Sequence, residues 1–144
     1  MIQRIQTIYL FLAAIISGGF IFIFDLWTTI AGKKIYAMDL LNQSDLMQLA
    51  IPVFFLASAV ELFASIFIFR KRQLQFVIVR TIILTHLILL GILIYLSLTL
   101  SGETTVSEKG IGMFLPVIVI VLCVLANKRI KKDEDLVKSV DRIR

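Results

Sequence analysis

Four long apolar blocks, separated by shorter polar segments, dominate the pattern of this 144-residue chain. The blocks cover residues 5–24, 49–69, 76–100 and 111–126. A bilayer core about 30 Å thick is crossed by about 20 helical residues. Backbone groups in hydrocarbon find no water to bond, so blocks of this length must be helical. The pattern predicts an all-α integral membrane protein, an antiparallel bundle of four transmembrane helices within residues 1–126.

The first and fourth blocks each need one further argument. Block one follows Arg4, as the apolar part of a signal peptide would, but it continues to Phe24 and no clear A-x-A cleavage site follows. We therefore interpret it as an uncleaved first helix. Block four is the shortest, and it extends through Asn127 if the lysines that follow snorkel to the headgroups.

Lysines and arginines are distributed unevenly between the blocks, and their bias predicts the orientation. The N-terminus, the turn 70–75 and the tail after Ala126 together hold eleven of them, whereas the segments on the other side hold three. Four crossings place all three rich segments on one side of the membrane. Because basic residues collect in cytoplasmic loops, both ends of the chain are predicted to be cytoplasmic.

The first extracytoplasmic segment, residues 25–48, is long enough to fold. The stretches 27–30 and 34–37 flank a turn centred on Gly32, which is typical of a small β-hairpin. Trp27 and Tyr36 are equally consistent with plain anchors at the membrane interface. Both interpretations remain open at this point.

Two further features concern the outer side. Asp45 or Ser44 is expected to cap the N-terminus of the second helix. Pro52 is tolerable near the start of that helix. The second outer segment, residues 101–110, is predicted to be a short polar loop.

Composition excludes several classes of function. Hydrophobic residues make up 59% of the chain and charged residues 17%. The net charge of +5 does not indicate nucleic-acid binding, because the basic residues lie at the ends of the apolar blocks. Cys123 alone forms no internal disulfide or CxxC site, and His86 is the single histidine. No catalytic or nucleotide-binding motif is present, so we predict no enzymatic activity, no metal and no cofactor.

The most informative intramembrane residue is a glutamate in the second block, Glu61. A charge at the middle of a bilayer costs about 2.5–3.5 kcal/mol on insertion scales. Such a group needs a partner, a proton or a water-lined cavity. Ser58 and Ser65 lie three residues before and four residues after it, which predicts one shared helix face.

The short turn makes helices two and three antiparallel neighbours. At a rise of about 1.5 Å per residue, Glu61 lies about 12 Å, His86 about 15 Å and Arg80 about 6 Å from that turn. One interpretation is a proton or cation site formed by Glu61 and His86 and tuned by Arg80. The other, which we favour, is a structural contact that fixes helix pairing. The predicted polar cluster is Ser58, Glu61, Ser65, Arg80, Thr85 and His86.

The tail, residues 127–144, is too polar to enter the membrane. Ile130, Val137, Val140 and Ile143 form an apolar stripe at near-helical spacing. This predicts an amphipathic cytoplasmic helix that either continues the fourth helix or bends along the membrane surface. It is either a solvated basic tail or a docking element. The predicted partner contacts are Arg129, Lys131, Lys132, Asp133, Glu134, Asp135, Asp141 and Arg142.

The two ends of the chain carry a resemblance to a known family. The start, Met1-Ile-Gln-Arg-Ile-Gln-Thr-Ile-Tyr-Leu10, and the end, Lys132-Asp-Glu-Asp-Leu-Val-Lys-Ser-Val-Asp-Arg-Ile-Arg144, resemble those of a bacterial family of small four-helix membrane proteins catalogued as a domain of unknown function. The resemblance spans the whole chain, including the turn Arg70-Lys-Arg-Gln-Leu-Gln75. It implies the four-helix topology and a location in the bacterial inner membrane. It implies no activity, substrate or catalytic residue.

The most specific motifs are therefore cytoplasmic rather than intramembrane. This favours an accessory or assembly subunit of a larger inner-membrane complex, whose partners are membrane lipid and other inner-membrane proteins. The alternative is a small proton-coupled transporter or exporter that uses Glu61, although a small-molecule substrate is not expected.

Overall fold

The computed structural model describes residues 3–102 and 106–144, which form a four-helix bundle with a small β-sheet at one end. The helices are α1 (Gln3–Gly18), α2 (Leu46–Phe67), α3 (Arg72–Gly102) and α4 (Leu115–Ile143). The strands are β1 (Asp25–Thr29), β2 (Lys34–Tyr36) and β3 (Val106–Lys109). Short 3₁₀ turns at Phe20–Phe22, Ala37–Asn42 and Ile111–Phe114 join the sheet to the helices.

The four helices form a ring in chain order. α1 packs against α2 and α4, and α3 packs against the same two helices. We call the end that holds the N-terminus, the α2–α3 turn and the tail the basic end, and the opposite end the sheet end. All four helices are long and apolar enough to cross a membrane. The chain is thus a multi-pass membrane protein, and the predicted four-helix architecture is confirmed.

The outward faces of the helices are apolar, as a lipid solvent requires. Phe67 is 67% exposed and Leu98 is 66% exposed, and many other large aliphatic and aromatic side chains are exposed along the bundle. A soluble bundle would present charged residues on these faces, because contiguous exposed apolar patches are rare in soluble monomers. The exposed apolar surface therefore has the character of a lipid contact.

Two apolar clusters form the interior. The cluster toward the sheet end joins Phe55 and Leu89 of the helices to Trp27 of the sheet. The other, nearer the basic end, includes Leu10 and Cys123. Trp27 is only 6% exposed, so the alternative that treated it as an interfacial anchor is wrong. Its indole instead fixes the sheet onto the end of the bundle.

The first loop folds into the predicted hairpin. β1 and β2 pair antiparallel, and Gly32 in the turn has a φ of 77°, a backbone conformation that glycine adopts without steric cost. The sequence did not reveal β3, which pairs antiparallel with the other edge of β1 to give the order β2-β1-β3. A strand of four residues with a single apolar one shows too little alternation to be recognised. Residues 103–105 of the predicted polar loop lie outside the described residues.

The helix boundaries follow local chemistry. Asp45 caps α2, and its Oδ1 accepts a hydrogen bond from the Met47 amide at 3.3 Å, as expected from the sequence. Pro116 lies in the first turn of α4, where its missing N–H costs nothing. α4 then continues without a break through the whole tail and is about 44 Å long at about 1.5 Å per residue. Of the two predicted arrangements of the tail, the continuous helix is correct.

A close backbone contact closes the sheet end. Gly110 is buried, and its amide donates a hydrogen bond to the Leu26 carbonyl at 2.8 Å. A Cβ atom added at Gly110 would collide with the Asp25 carbonyl, and one added at Gly112 would lie 2.7 Å from the same oxygen. Both glycines therefore let the chain that enters α4 pass directly against β1.

We expect Gly110→Val to lower the free energy of unfolding by about 1–3 kcal/mol, the usual cost of overpacking a tight contact. The φ of Gly110 is −82°, so valine meets a steric rather than a conformational barrier. Thermal unfolding in detergent, followed by circular dichroism, measures the effect. Ile111→Ala is the matched control because Ile111 is the next residue and points outward. An unchanged melting temperature in the valine variant would contradict the contact.

Candidate functional site

The basic end is built around the tight turn between α2 and α3. The amide of Lys71 donates to the carbonyl of Ile68 at 2.9 Å, and α3 begins at the next residue. The turn therefore presents Arg70, Lys71 and Arg72 in succession. α4 runs past this turn because its helix extends well beyond the end of the bundle.

Two side-chain contacts fasten the tail to this turn, and an ion pair within the tail engages the same glutamate, Glu134. Arg72 donates through Nη1 to the carbonyl of Asp133 at 3.2 Å, and Gln73 donates through Nε2 to Oε1 of Glu134 at 3.3 Å. Lys138 forms an ion pair with Glu134, with 2.8 Å between Nζ and Oε1. The hydrogen bond from Lys138, then that from Gln73, lowers the pKa of the Glu134 carboxyl, and Glu134 in turn raises the pKa of Lys138.

Between the turn and the tail lies an open cleft of about 640 Å³. Phe69, Leu74 and Val137 give it an apolar surface, and Arg70, Lys71 and Lys138 give it basic groups. A second cleft of about 370 Å³ brings Tyr9 of α1 together with Leu125 and three basic residues of α4, Lys128, Arg129 and Lys132. Both clefts combine apolar surface with positive charge.

The predicted partner contacts on the tail divide into two groups. Arg129, Lys131, Lys132, Asp135, Asp141 and Arg142 are exposed, and Glu134 is half-buried in the contacts described above. Asp133 is only 6% exposed, so its predicted role as a partner contact is wrong. The reason is helical geometry, because Ala126, Ile130 and Asp133 continue the buried face of α4 at i, i+4 and i+7.

The sequence did not predict that polar side chains are buried toward the basic end. Gln6, Gln75, Asn127 and Asp133 are buried, and each has at least one side-chain oxygen without a hydrogen-bond partner among the described residues. Gln75 also donates through Nε2 to the Ser65 carbonyl at 3.0 Å. Gln6 and Gln75 both lie within the first two turns of their helices, where a polar residue is normally taken as a boundary.

The predicted intramembrane cluster does not form one site. Ser58 joins Ser17 of α1 in a buried hydroxyl pair at 2.7 Å, and both hydroxyls lie 2.9 Å from the Phe55 carbonyl. Ser65 is buried and donates to the Leu62 carbonyl at 2.7 Å. Both serines therefore serve helix packing within the bundle.

Glu61 is exposed whereas Ser58 and Ser65 are buried, so it lies at the outer edge of the helix face that the spacing predicted for all three. It neighbours the core position Leu62, and a step of about 100° per residue carries it off the buried face. Within residues 3–102 and 106–144 it makes no hydrogen bond or ion pair.

His86 faces the interior and does not meet Glu61. Its Nδ1 lies 3.0 Å from the Ile82 carbonyl, and its ring stands edge-on to Phe55 with centroids 5.9 Å apart. Arg80 is exposed, and its guanidinium carbon lies 4.4 Å from the centroid of the Phe76 ring. Thr85 donates to the Thr81 carbonyl at 3.1 Å. The predicted pairing of Glu61 with His86 or Arg80 is absent from the part of the chain that the structure describes.

Across the described ranges, no three histidine, cysteine, aspartate or glutamate side chains lie close enough together to hold an ion. The chemistry available at the basic end is therefore charge and apolar surface.

The fold and the basic end together define a small multi-pass membrane protein, a four-helix bundle closed by a three-stranded sheet. The family model described as "Domain of unknown function (DUF4293)" matches residues 2–143, and the chain belongs to this family. This confirms the resemblance noted in the sequence. Comparison with curated proteins and with solved structures gives no significant match.

Acidification is expected to weaken the attachment of the tail to the turn. Because the pKa of Glu134 is lowered in the folded protein, its contribution is present above the ordinary carboxyl pKa of 4.5 and is lost as the pH falls below it. Lys138 stays charged over this range since its pKa is raised from 10.5. Amide hydrogen exchange of residues 134–143 in detergent should accelerate beyond its intrinsic pH dependence as Glu134 is protonated.

Glu134→Gln is the control for this pH effect. It removes the titrating carboxyl and keeps an oxygen that accepts from Gln73. Asp135 and Arg142 lie near the ion pair and remain in both proteins, so any effect of their charges is shared. An equal release of the tail in the glutamine variant would show that another group is responsible.

Proposed function

We propose that this protein is an accessory or assembly subunit of a larger membrane protein complex in the bacterial inner membrane. Its basic end faces the cytoplasm in this proposal, and its tail contacts the partner's cytoplasmic surface. Its helices pack laterally against the partner within the bilayer.

The orientation rests on charge. Eleven of the fifteen lysines and arginines belong to the N-terminus, the α2–α3 turn and the tail. These segments meet at one end of the bundle, and the positive-inside rule assigns that end to the cytoplasm. The family's bacterial context, taken from the resemblance, favours the inner membrane.

The observation that carries the proposal is the exposed apolar stripe on the last turns of α4. Val140 is 61% exposed and Ile143 is 86% exposed, and Leu136 and Val137 lie on the same part of the helix. A stripe of this kind on a helix held away from the core is costly in water and is typical of a helix that docks onto another surface.

The charges around the stripe favour a protein surface over lipid alone. Asp135 and Asp141 alternate with Lys138 and Arg142 along the tail, whereas contact with anionic lipid selects mainly lysine and arginine. The cleft beside Tyr9 is the part better suited to lipid headgroups, because its charged residues are all basic and it adjoins the membrane-spanning part of α4.

The alternative of a proton-coupled transporter loses its main support. Glu61 is exposed on the outside of the bundle whereas His86 is buried inside it, and the hydroxyls of Ser17 and Ser58 are engaged with each other and with a carbonyl. A transport path needs these groups in one water-accessible line.

Affinity purification from native membranes tests the proposal. We expect the full-length protein to recover a larger inner-membrane complex, and Val140→Asp to lose it, because an aspartate desolvated at the centre of the stripe has no partner. Ser139→Asp is the matched control, since it adds the same charge one residue earlier, about 100° around the helix from Val140. Recovery of the wild-type protein only as a monomer or homodimer would contradict the proposed function.

A further inference from the structure

Two opposite charges on the lipid-facing surface lack a charged partner. Glu61 of α2 and Arg80 of α3 are both exposed, and neither forms an ion pair in the described parts of the chain. Arg80 has only the face of Phe76, 4.4 Å away. Both residues lie within segments long and apolar enough to span the membrane, where an isolated charge is unfavourable.

The two charges lie at the same depth. The ring contact between Phe55 and His86 and the bond from Gln75 to Ser65 fix the antiparallel register of α2 and α3. That register sets Glu61 opposite the level of Val79 and Arg80. Arg80 is eight residues into α3, or about 12 Å from its start. A second copy of this chain, inserted in the same direction and at the same depth, would therefore present its own Glu61 and Arg80 at this level.

The charges also flank one surface. Glu61 lies one turn before Ser65, whose carbonyl faces α3, so Glu61 is on the α3 side of α2. Arg80 lies two turns after Gln73, whose amide reaches Glu134, so Arg80 is on the α4 side of α3. The outward face of α3 lies between them.

The face between the charges is apolar and carries a heptad line. Val77, Leu84 and Gly91 are exposed and follow each other at intervals of seven residues. A Cβ added at Gly91 meets nothing of its own chain within 4 Å. Seven-residue spacing on one face is the geometry by which two helices cross at a small angle over a long contact.

We propose that this face of α3 is the interface of a parallel homodimer in the membrane, with Glu61 of each copy paired with Arg80 of the other. A two-fold axis along the membrane normal exchanges the two flanks of the face. The negative flank of one copy then meets the positive flank of the second, which makes the surface self-complementary.

A second copy explains the charge pattern better than lipid or an unrelated helix. Lipid acyl chains offer no partner for either group. An unrelated helix would have to supply an acid and a base at one depth with matching separation, whereas a copy of this chain supplies both by symmetry. The dimer uses neither the tail nor the cleft at the basic end, so it stands independently of the proposed function.

Charge reversal provides the test. Glu61→Arg alone and Arg80→Glu alone each place like charges across the interface, and the mass of the purified protein in mild detergent should shift from twice the 16.3 kDa chain mass to that of one chain. Co-expression of the two single variants with different tags should restore a dimer that contains one of each, because all its cross-pairs are opposite in sign. Lys71→Glu, a reversal outside the membrane, is the control and should stay dimeric.

Co-expression of the two single variants distinguishes the possible explanations. Dimerisation of either single variant by itself, or failure of the two variants to associate, overturns the proposal. Rescue only when both reversals are in one chain, without mixed dimers, indicates a pair within one copy and also overturns it. Loss of a different protein from the Glu61→Arg sample, without mixed rescue, assigns the face to that protein instead.

Cysteine crosslinking tests the interface without altering the charges. In a Cys123→Ser background, Leu84→Cys lies on the central line of the face and should give a disulfide-linked dimer in membranes. Ile15→Cys is exposed on α1, diagonally across the bundle, and should not. Equal crosslinking at both positions, or none at Leu84→Cys, overturns the proposal even if the charge variants accumulate poorly.

Discussion

The lack of water in the bilayer interior is the constraint on which this structure depends. It forces every membrane-spanning segment to be helical. It also reverses the arrangement of soluble proteins, in which polar side chains cover the surface, so that Phe67 and Leu98 face outward. Polar groups then occur in three kinds of location. They pair inside, as Ser17 and Ser58 do; they collect at the ends, as the basic residues do; or they remain on the lipid face and require a partner, as Glu61 does.

Much of the fold was predictable because this constraint leaves few alternatives. The number of helices, their antiparallel order, the Asp45 cap and the first hairpin all followed from block length and local turn chemistry. β3 did not, because its pairing with β1 is a contact between segments far apart in sequence. The close passage of Gly110 past Asp25 belongs to the same class, since nothing local distinguishes that glycine from a flexible one.

The candidate sites were less predictable because they depend on the rotation of each helix. Depth followed only in part, because residue counts placed Glu61 level with His86, whereas the register of α2 and α3 sets it level with Arg80. The direction in which each side chain points did not follow, because a shift of one residue along a helix changes that direction by about 100°. Glu61 was therefore predicted to contact His86 or Arg80, which it does not in the described residues, and the buried Asp133 was predicted to be a partner contact. The apolar spacing of Ala126 and Ile130 contained the signal for Asp133, but it was visible only once α4 was known to continue through the tail.

The two proposed interfaces occupy different parts of the molecule, and this separation has a physical cause. α3 is bounded on both sides by packed helices, so its outward face can meet only lipid or another membrane helix. α4 extends further than the other helices at the basic end. Its last turns therefore project from the bundle with an exposed apolar stripe. The contacts of Arg72 and Gln73 with α4 hold that stripe in a fixed position relative to the bundle. A dimer formed through α3 would present two such tails, both anchored beside their own basic turns. A partner that bound both would gain from their fixed spacing as well as from each single contact.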